Sequence, residues 1–324
     1  MLAELASRAV SAWDGLVRRA RRRSRVVDRL WLAKQRYGEV HGGRLAAAIA
    51  YYGFFAALAL GLLAVSILGF VLAGNRAAVS VVNRFLAQNL PFLKTSDIAN
   101  ARQTVAVVGA IGLVGAGIGW VGGMRSAQRA VWNLDQEPGN MVVRRLVDLA
   151  MLVGLGLLVA LSLWVTGGIQ VLAKDLLAWA SPAHTTAAFN QSVKTALSVL
   201  GQILSFGVNL VVAAALLAGV PRLRMPPRRL LPPVVLLAVG FTLLSTVGRV
   251  FIGHTERNPA YQVAGWAVGL LVSINLFSQL LLFGTALAAT GNRDRVVDLA
   301  AGPPPRLPED GSGGPDGAAA QDPP

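Results

Sequence analysis

Apolar residues run through this chain in six long blocks, parted by short polar segments that are mostly basic. The blocks cover residues 45–72, 105–124, 146–172, 196–220, 230–252 and 262–290. At ~1.5 Å rise per residue, each is long enough to cross a ~30 Å hydrocarbon core as a helix. The pattern predicts an all-α fold, a polytopic membrane helix bundle with six transmembrane helices. It also divides the chain into an N-terminal basic, amphipathic arm (1–43), a membrane domain (44–292) and a C-terminal tail (293–324). Residues 76–103 mix Pro91, Asp97 and basic residues with Val81, Phe85 and Leu86, which suits an external amphipathic segment better than a span. Pro232 and Pro233 are expected in the first turn of the fifth span, where a missing N–H costs little.

The second block, VAVVGAIGLVGAGIGWVGGM, holds seven glycines and no charge. Gly115, Gly119 and Gly123 fall four apart, so one helix face is nearly bare of side chains and a neighbouring backbone can approach it closely. The same residues spell G-x-G-x-x-G from Gly117 to Gly122, with Glu137 beyond. A dinucleotide site needs a strand before the glycines and a soluble helix after them. Here an unbroken apolar run leads straight into the basic stretch 125–145, so helix packing is the better reading.

Composition agrees. Of 324 residues, 54% are hydrophobic and 14% charged, against ~25% charged in soluble domains. A net charge of +14 could suggest a nucleic-acid partner, but its distribution argues otherwise. The segments read as cytoplasmic hold 11, 4, 4 and 3 lysines and arginines, and those read as external hold 4, 1 and 1. Charge alternating with spans is the positive-inside pattern, and it predicts a plasma-membrane protein with both termini cytoplasmic. Residues 1–43 carry ten of the basic residues, with Leu2, Leu5, Ala9, Trp13, Leu16 and Ala20 at helical spacing. That arm is expected either to lie on anionic lipid headgroups or to be solvated. No interleaved aromatic platform for RNA accompanies it. The tail beyond Arg295, rich in Pro, Gly and Asp, has a disordered composition.

Several sequence features taken together resemble the YihY/BrkB family. They are Ala50-Tyr51-Tyr52 in the first span, Met124-Arg125-Ser126-Ala127-Gln128-Arg129-Ala130-Val131-Trp132-Asn133 after the second, Pro221 before a basic loop, Tyr261, and Leu281-Leu282-Phe283-Gly284. The chain departs from the family pattern at Ala59, Gln262 and Ala286, where a proline, a glycine and a glutamate are usual. The resemblance implies an all-helical inner-membrane protein linked to envelope integrity, in a family once labelled ribonuclease BN.

Hydrolytic nucleases need clustered carboxylates for metal ions or a histidine acid/base pair. The 16 acids are scattered, His41, His184 and His254 lie far apart, and there is no cysteine. No enzyme activity, cofactor or metal site is therefore expected. Polar residues do recur at helical spacing within spans. Ser162, Thr166 and Gln170 mark the third, and Ser198, Gln202, Ser205 and Asn209 the fourth. Thr242, Ser245 and Arg249 follow in the fifth, and Asn275, Ser278 and Gln279 in the sixth. Gln202, Asn209, Thr242, Ser245, Arg249, Asn275 and Gln279 are the candidate lining of a polar cavity; interhelical hydrogen bonding is the simpler use of such stripes. Arg249 either snorkels to the external headgroups near Glu256 or receives a phosphate or carboxylate at the cavity mouth. Membrane lipids are the expected partners, with envelope components possible and no nucleic acid. A reporter fused after Gly139 or Met225 is expected to signal cytoplasm, and one after Ala183 the exterior; two reversed signals would rule out this topology.

Overall fold

The computed structural model describes residue 19 and residues 21–74, 95–179, 187–255, 259–291 and 296–300. The readings made for residues 2–18, for most of the 76–103 segment, for 180–186 and for the tail beyond 300 lie outside the described residues. Among the described residues, seven helices run in order: α1 (Arg25–Glu39), α2 (Gly42–Gly74), α3 (Thr95–Val131), α4 (Met141–Trp179), α5 (Ala187–Ala214), α6 (Pro227–Thr255) and α7 (Pro259–Ala289). A π-helical turn, Ala215–Gly219, continues α5. Two short strands, β1 (Leu223–Arg224) and β2 (Val297–Asp298), pair antiparallel with Leu223 opposite Asp298.

The result is an all-α membrane bundle. Among the described residues, five stretches are long and apolar enough to cross a membrane: Gly42–Ala64, Gln103–Val131, Val199–Gly219, Pro227–Leu244 and Ala267–Ala289. The expected third span lies inside the continuous helix α4, whose side chains are described only as far as Leu161. Leu58, Ile111, Leu157, Ile203, Leu243 and Leu271 point outward from these helices, a surface that only lipid or another apolar partner can cover. Gly117 and Gly119 sit in the middle of α3 with no strand before them among the described residues. One boundary differs from expectation. Helix α6 starts at Pro227, whose fixed φ suits a first helical residue, and the Arg229 and Leu230 amides both donate to the Pro226 carbonyl at 3.0 and 3.2 Å. Pro232 and Pro233 consequently lie within the helix instead of in its first turn.

The most extensive helix pairing is between α2 and α3, and the glycines explain why. A Cβ on Gly109 would stand 3.0 Å from the Leu63 amide nitrogen and 3.3 Å from the Ala59 carbonyl oxygen, both backbone atoms of α2. Gly112 faces the Ala59 Cβ at 3.3 Å, and Gly119 and Gly123 face the Tyr52 ring at 3.1 and 3.9 Å. Gly115 is different, since a Cβ there would meet nothing within 4 Å. At 100° per residue it sits roughly 75° from the centre of the stripe formed by the other four. The close approach therefore follows a 3.6-residue stripe, not a strict spacing of four.

Part of the N-terminal arm belongs to the bundle. Helix α1 packs on α7: Ala33 is fully buried, and the Tyr37 ring meets Phe283 edge-on at 6.3 Å, in space that a side chain at Gly42 would fill. Residues 296–300, grouped with the tail on composition, are held in place by β2 and by the Leu299 amide donating to the Arg222 carbonyl at 3.0 Å.

The glycine stripe generates a contrast. Gly109→Ala is expected to lower the melting temperature in detergent, because α2 backbone must move, whereas Gly115→Ala is expected to raise it by an amount reflecting the ~1 kcal/mol preference of helices for alanine. Equal shifts would show that the backbones are not in contact at Gly109.

Candidate functional site: a buried arginine network at the basic end

Helix ends leave their last carbonyls without intrahelical donors, and these carry a partial negative charge. At the basic end of this bundle, arginines close them. Arg36 of α1 donates from Nε to the Val131 carbonyl at 2.8 Å and from Nη2 to Ala130 at 3.4 Å, capping α3. Arg229 of α6 does the same for α7, donating to the Ala288 and Ala289 carbonyls at 2.9 Å each, with its guanidinium 5.1 Å over the Trp132 ring. Helix α3 also ends in a Schellman motif. Asn133 takes φ 59°, Leu134 N–H donates to the Arg129 carbonyl and Asn133 N–H to Ala130, both at 3.0 Å.

Two arginines one turn apart on α3 go further. Arg125, 5% exposed, grips Asp148 of α4 through Nε and Nη2 at 2.8 and 3.1 Å, and its Nη1 donates to the Gln136 carbonyl at 3.0 Å. Arg129, 1% exposed, holds both carboxylate oxygens of Asp298 at 2.9 and 2.7 Å, the Pro221 carbonyl at 3.1 Å, and the Asp135 carbonyl through Nε. One guanidinium thus ties α3 to its own loop, to the end of the α5 helix and to β2.

Gln128, between them in sequence and fully buried, bonds the Leu216 carbonyl at 2.9 Å and Thr285 Oγ1 of α7 at 3.4 Å. Sequence explains that carbonyl's need. The π turn sends the Val220 amide to Ala215 O, and the next residue is Pro221, which has no N–H to offer. Leu216 is left for a side chain to satisfy.

Arg222 is the exception. It follows Pro221 at φ 58°, a left-handed conformation that costs a residue with a Cβ ~1–2 kcal/mol. The residue as a whole is half-buried, yet its Nε and Nη2 are closed off from solvent and make no hydrogen bond. Burial pulls its pKa below the usual guanidinium value; the charges of Arg125, Arg129 and Arg144 add to that shift, and Asp148 opposes it.

Among the residues singled out from sequence, Asn209 of α5 donates to Thr242 Oγ1 of α6 at 3.3 Å, joining two of the polar stripes. Thr242 also donates to the Ala238 carbonyl. Gln279 bonds Asn275 one turn away along α7, and Gln202 is exposed on α5. The side chains of Ser245 and Arg249 lie outside the described residues, although both positions are within α6. The bonds described for Asn209, Thr242 and Gln279 do not involve the arginine network. Sequence reading placed Arg125, Arg129 and Arg222 in basic loops and did not single out Asp148 and Asp298 as their partners. The available signal was the pair of arginines four apart on α3, followed by an aspartate in the first turns of α4.

These features define a multi-pass α-helical membrane protein with a charged, internally paired cap at one end. Residues 33–307 match the family described as virulence factor BrkB, and the chain belongs to it. Inner membrane protein YhjD of Escherichia coli (strain K12) is 27% identical over 289 residues, covering 83% of this chain and 82% of that protein. An uncharacterized protein of Dickeya dadantii (strain 3937) is 25% identical over 284 residues, covering 80% and 82%. No solved structure matches the chain.

Breaking a buried ion pair from one side strands a charge and costs ~3–5 kcal/mol, whereas replacing both partners by apolar groups is often neutral. Asp148→Asn is expected to lower the melting temperature far more than the double change Arg125→Met with Asp148→Leu. A double variant that melts no higher than Asp148→Asn would show that the pair itself, and not the stranded charge, sets the stability.

Proposed function

We propose that this protein carries or flips a lipid or other anionic amphiphile of the envelope across the plasma membrane, with its basic end and both termini in the cytoplasm. The observation that supports this reading is the exposure of Gln202, Thr242 and Gln279 on helices otherwise apolar enough to span a bilayer. Polar atoms left facing hydrocarbon without a partner cost several kcal/mol, and the bond to Asn275 satisfies only part of the Gln279 carboxamide. A polar path for a headgroup along the bundle removes that cost. The basic end favours anionic cargo, since a short cationic segment attracts anionic lipid at ~1 kcal/mol per residue.

A second reading, a non-transporting scaffold for envelope integrity, draws on the pairing of Asn209 with Thr242 and of Gln279 with Asn275. Such bonds contribute ~0.6 kcal/mol each to helix association on average. Neither reading involves catalysis. Asp148, which is buried, and Asp298, which is partly so, already have both oxygens committed to arginines, which leaves them poor metal ligands for a nuclease.

Reconstitution in vesicles containing a fluorescent phosphatidylglycerol, with dithionite bleaching of the outer leaflet, separates the two. Transport predicts protein-dependent loss of protected fluorescence, and Gln202→Leu with Gln279→Leu is expected to slow it at least ~tenfold, equivalent to ~1.4 kcal/mol in the barrier. A scaffold predicts no activity in vesicles and full complementation of a deletion strain by the same variant.

A further inference from the structure

Five guanidinium groups of the basic end, those of Arg36, Arg125, Arg129, Arg222 and Arg229, differ in how they are used. Arg36 and Arg229 spend their donors on helix carbonyls, Arg125 on Asp148, and Arg129 on Asp298. Arg222 alone among these five has its Nε and Nη2 donors buried with no acceptor. That edge is the same one with which Arg125 takes both oxygens of Asp148 at 2.8 and 3.1 Å, so the network itself shows what fits it. Two oxygens on one centre, with negative charge, match two parallel N–H groups. The charges facing Arg222 are Arg125, Arg129, Arg144 and Asp148. Both oxygens of Asp148 are held by Arg125, so Asp148 acts on Arg222 through its charge alone, and Nε and Nη2 of Arg222 have no acceptor. Arg144 is tied to Glu137 twice, donating to its carbonyl and to its exposed carboxylate at 2.9 Å each, and an ion pair with an exposed carboxylate contributes little.

We propose that Arg222 is a binding residue for a phosphate group at the basic end of the bundle, gripping two of its oxygens through Nε and Nη2 with Arg144 beside it. Three observations agree on this position. A long side chain takes a left-handed conformation where glycine or asparagine is usual, two of its head nitrogens are buried without an acceptor, and the surrounding charge is mostly cationic. Each of these disfavours the ligand-free protein, and a bound dianion relieves the last two. The residue is half-buried with its two-donor edge turned inward, so occupancy requires the head to swing toward the solvent-facing side. Position supports the chemistry as well: Arg222 lies three residues beyond the end of the Val199–Gly219 span, at the depth of lipid headgroups. The same phosphate chemistry is offered by a phospholipid and by free phosphate in solution.

This deepens the transport reading, on which its lipid arm rests, but the test requires no translocation. Full-length protein in detergent is melted at fixed ionic strength in chloride, alone, with inorganic phosphate, with dioctanoyl phosphatidic acid, and with dioctanoylglycerol as the uncharged control. The native protein is expected to gain on the order of 5 °C at a hundredfold excess of probe over its dissociation constant. Arg222→Gly, which removes the guanidinium and relaxes the backbone, is expected to melt at or above the native temperature without probe and to show no gain with it. Equal gains from phosphate and phosphatidic acid identify the phosphate alone as the ligand; a gain from phosphatidic acid with none from phosphate or dioctanoylglycerol identifies a lipid. The proposal is overturned if neither phosphate probe shifts the native protein, or if Arg222→Gly responds as the native chain does. A lower melting temperature for Arg222→Gly without probe also overturns it, since the guanidinium would then be structural. A negative result here leaves the vesicle assay standing, and a failure of flipping leaves phosphate binding intact.

Discussion

The carbonyls at the basic ends of the membrane helices set the terms for the rest of this structure. A spanning helix satisfies its own backbone everywhere except at its termini, and here several termini are covered by other elements instead of open to water. Arg36, Arg129 and Arg229 fill the resulting need, each reaching from one element to the end of another. Positive charge that looks from sequence like a simple orientation signal is therefore also the mortar of the bundle. Arg129 shows this best, since it is nearly inaccessible and simultaneously holds its own loop, the end of the α5 helix and β2.

Membrane solvent explains the contrast between the two regions of the molecule. Where arginines and aspartates pair, the core is closed: Met124, Val131, Leu217, Leu237, Leu281 and Leu282 are almost wholly buried there. Along the spans, large aliphatic side chains point outward, and the hydrophobic effect has no reason to bury them when the surroundings are lipid tails. Helix association then falls to close backbone approach and hydrogen bonds. Gly109 against Leu63 supplies the first, Asn209 with Thr242 the second.

The segment from Ala215 to Arg222 concentrates local irregularity: a π turn, a proline, then a left-handed arginine. The first two leave the Leu216 carbonyl without an intrahelical donor, and Gln128 answers it from α3. Buried polar groups with defined partners favour one packing arrangement over its alternatives, so this irregular turn helps fix how α3, α5 and α7 meet. The cost falls on Arg222, whose backbone is strained and whose donors are desolvated, and residues held in such a state concentrate at functional sites.

The sequence by itself determined the fold class. Apolar blocks of spanning length, glycines on one face of the second, and charge alternating between connections are local signals, because a helix in lipid satisfies its backbone without help from distant residues. The small face of α3 was legible for the same reason, but what it meets was not: Gly119 and Gly123 face the Tyr52 ring, backbone approaches at Gly109, and Gly115 faces open space, all of which required the phase of the stripe relative to α2. What only the tertiary structure decided is the pairing of charges. Arg125 lies 23 residues from Asp148, and Arg129 lies 169 from Asp298, in a segment whose composition resembled a tail. Nothing in the spacing of residues so far apart encodes their meeting, since an ion pair depends on where the helices place two side chains in space. Arg222 was hidden for the converse reason: it is marked by acceptors that no other element brings to it, and that becomes visible only when every neighbour has been placed.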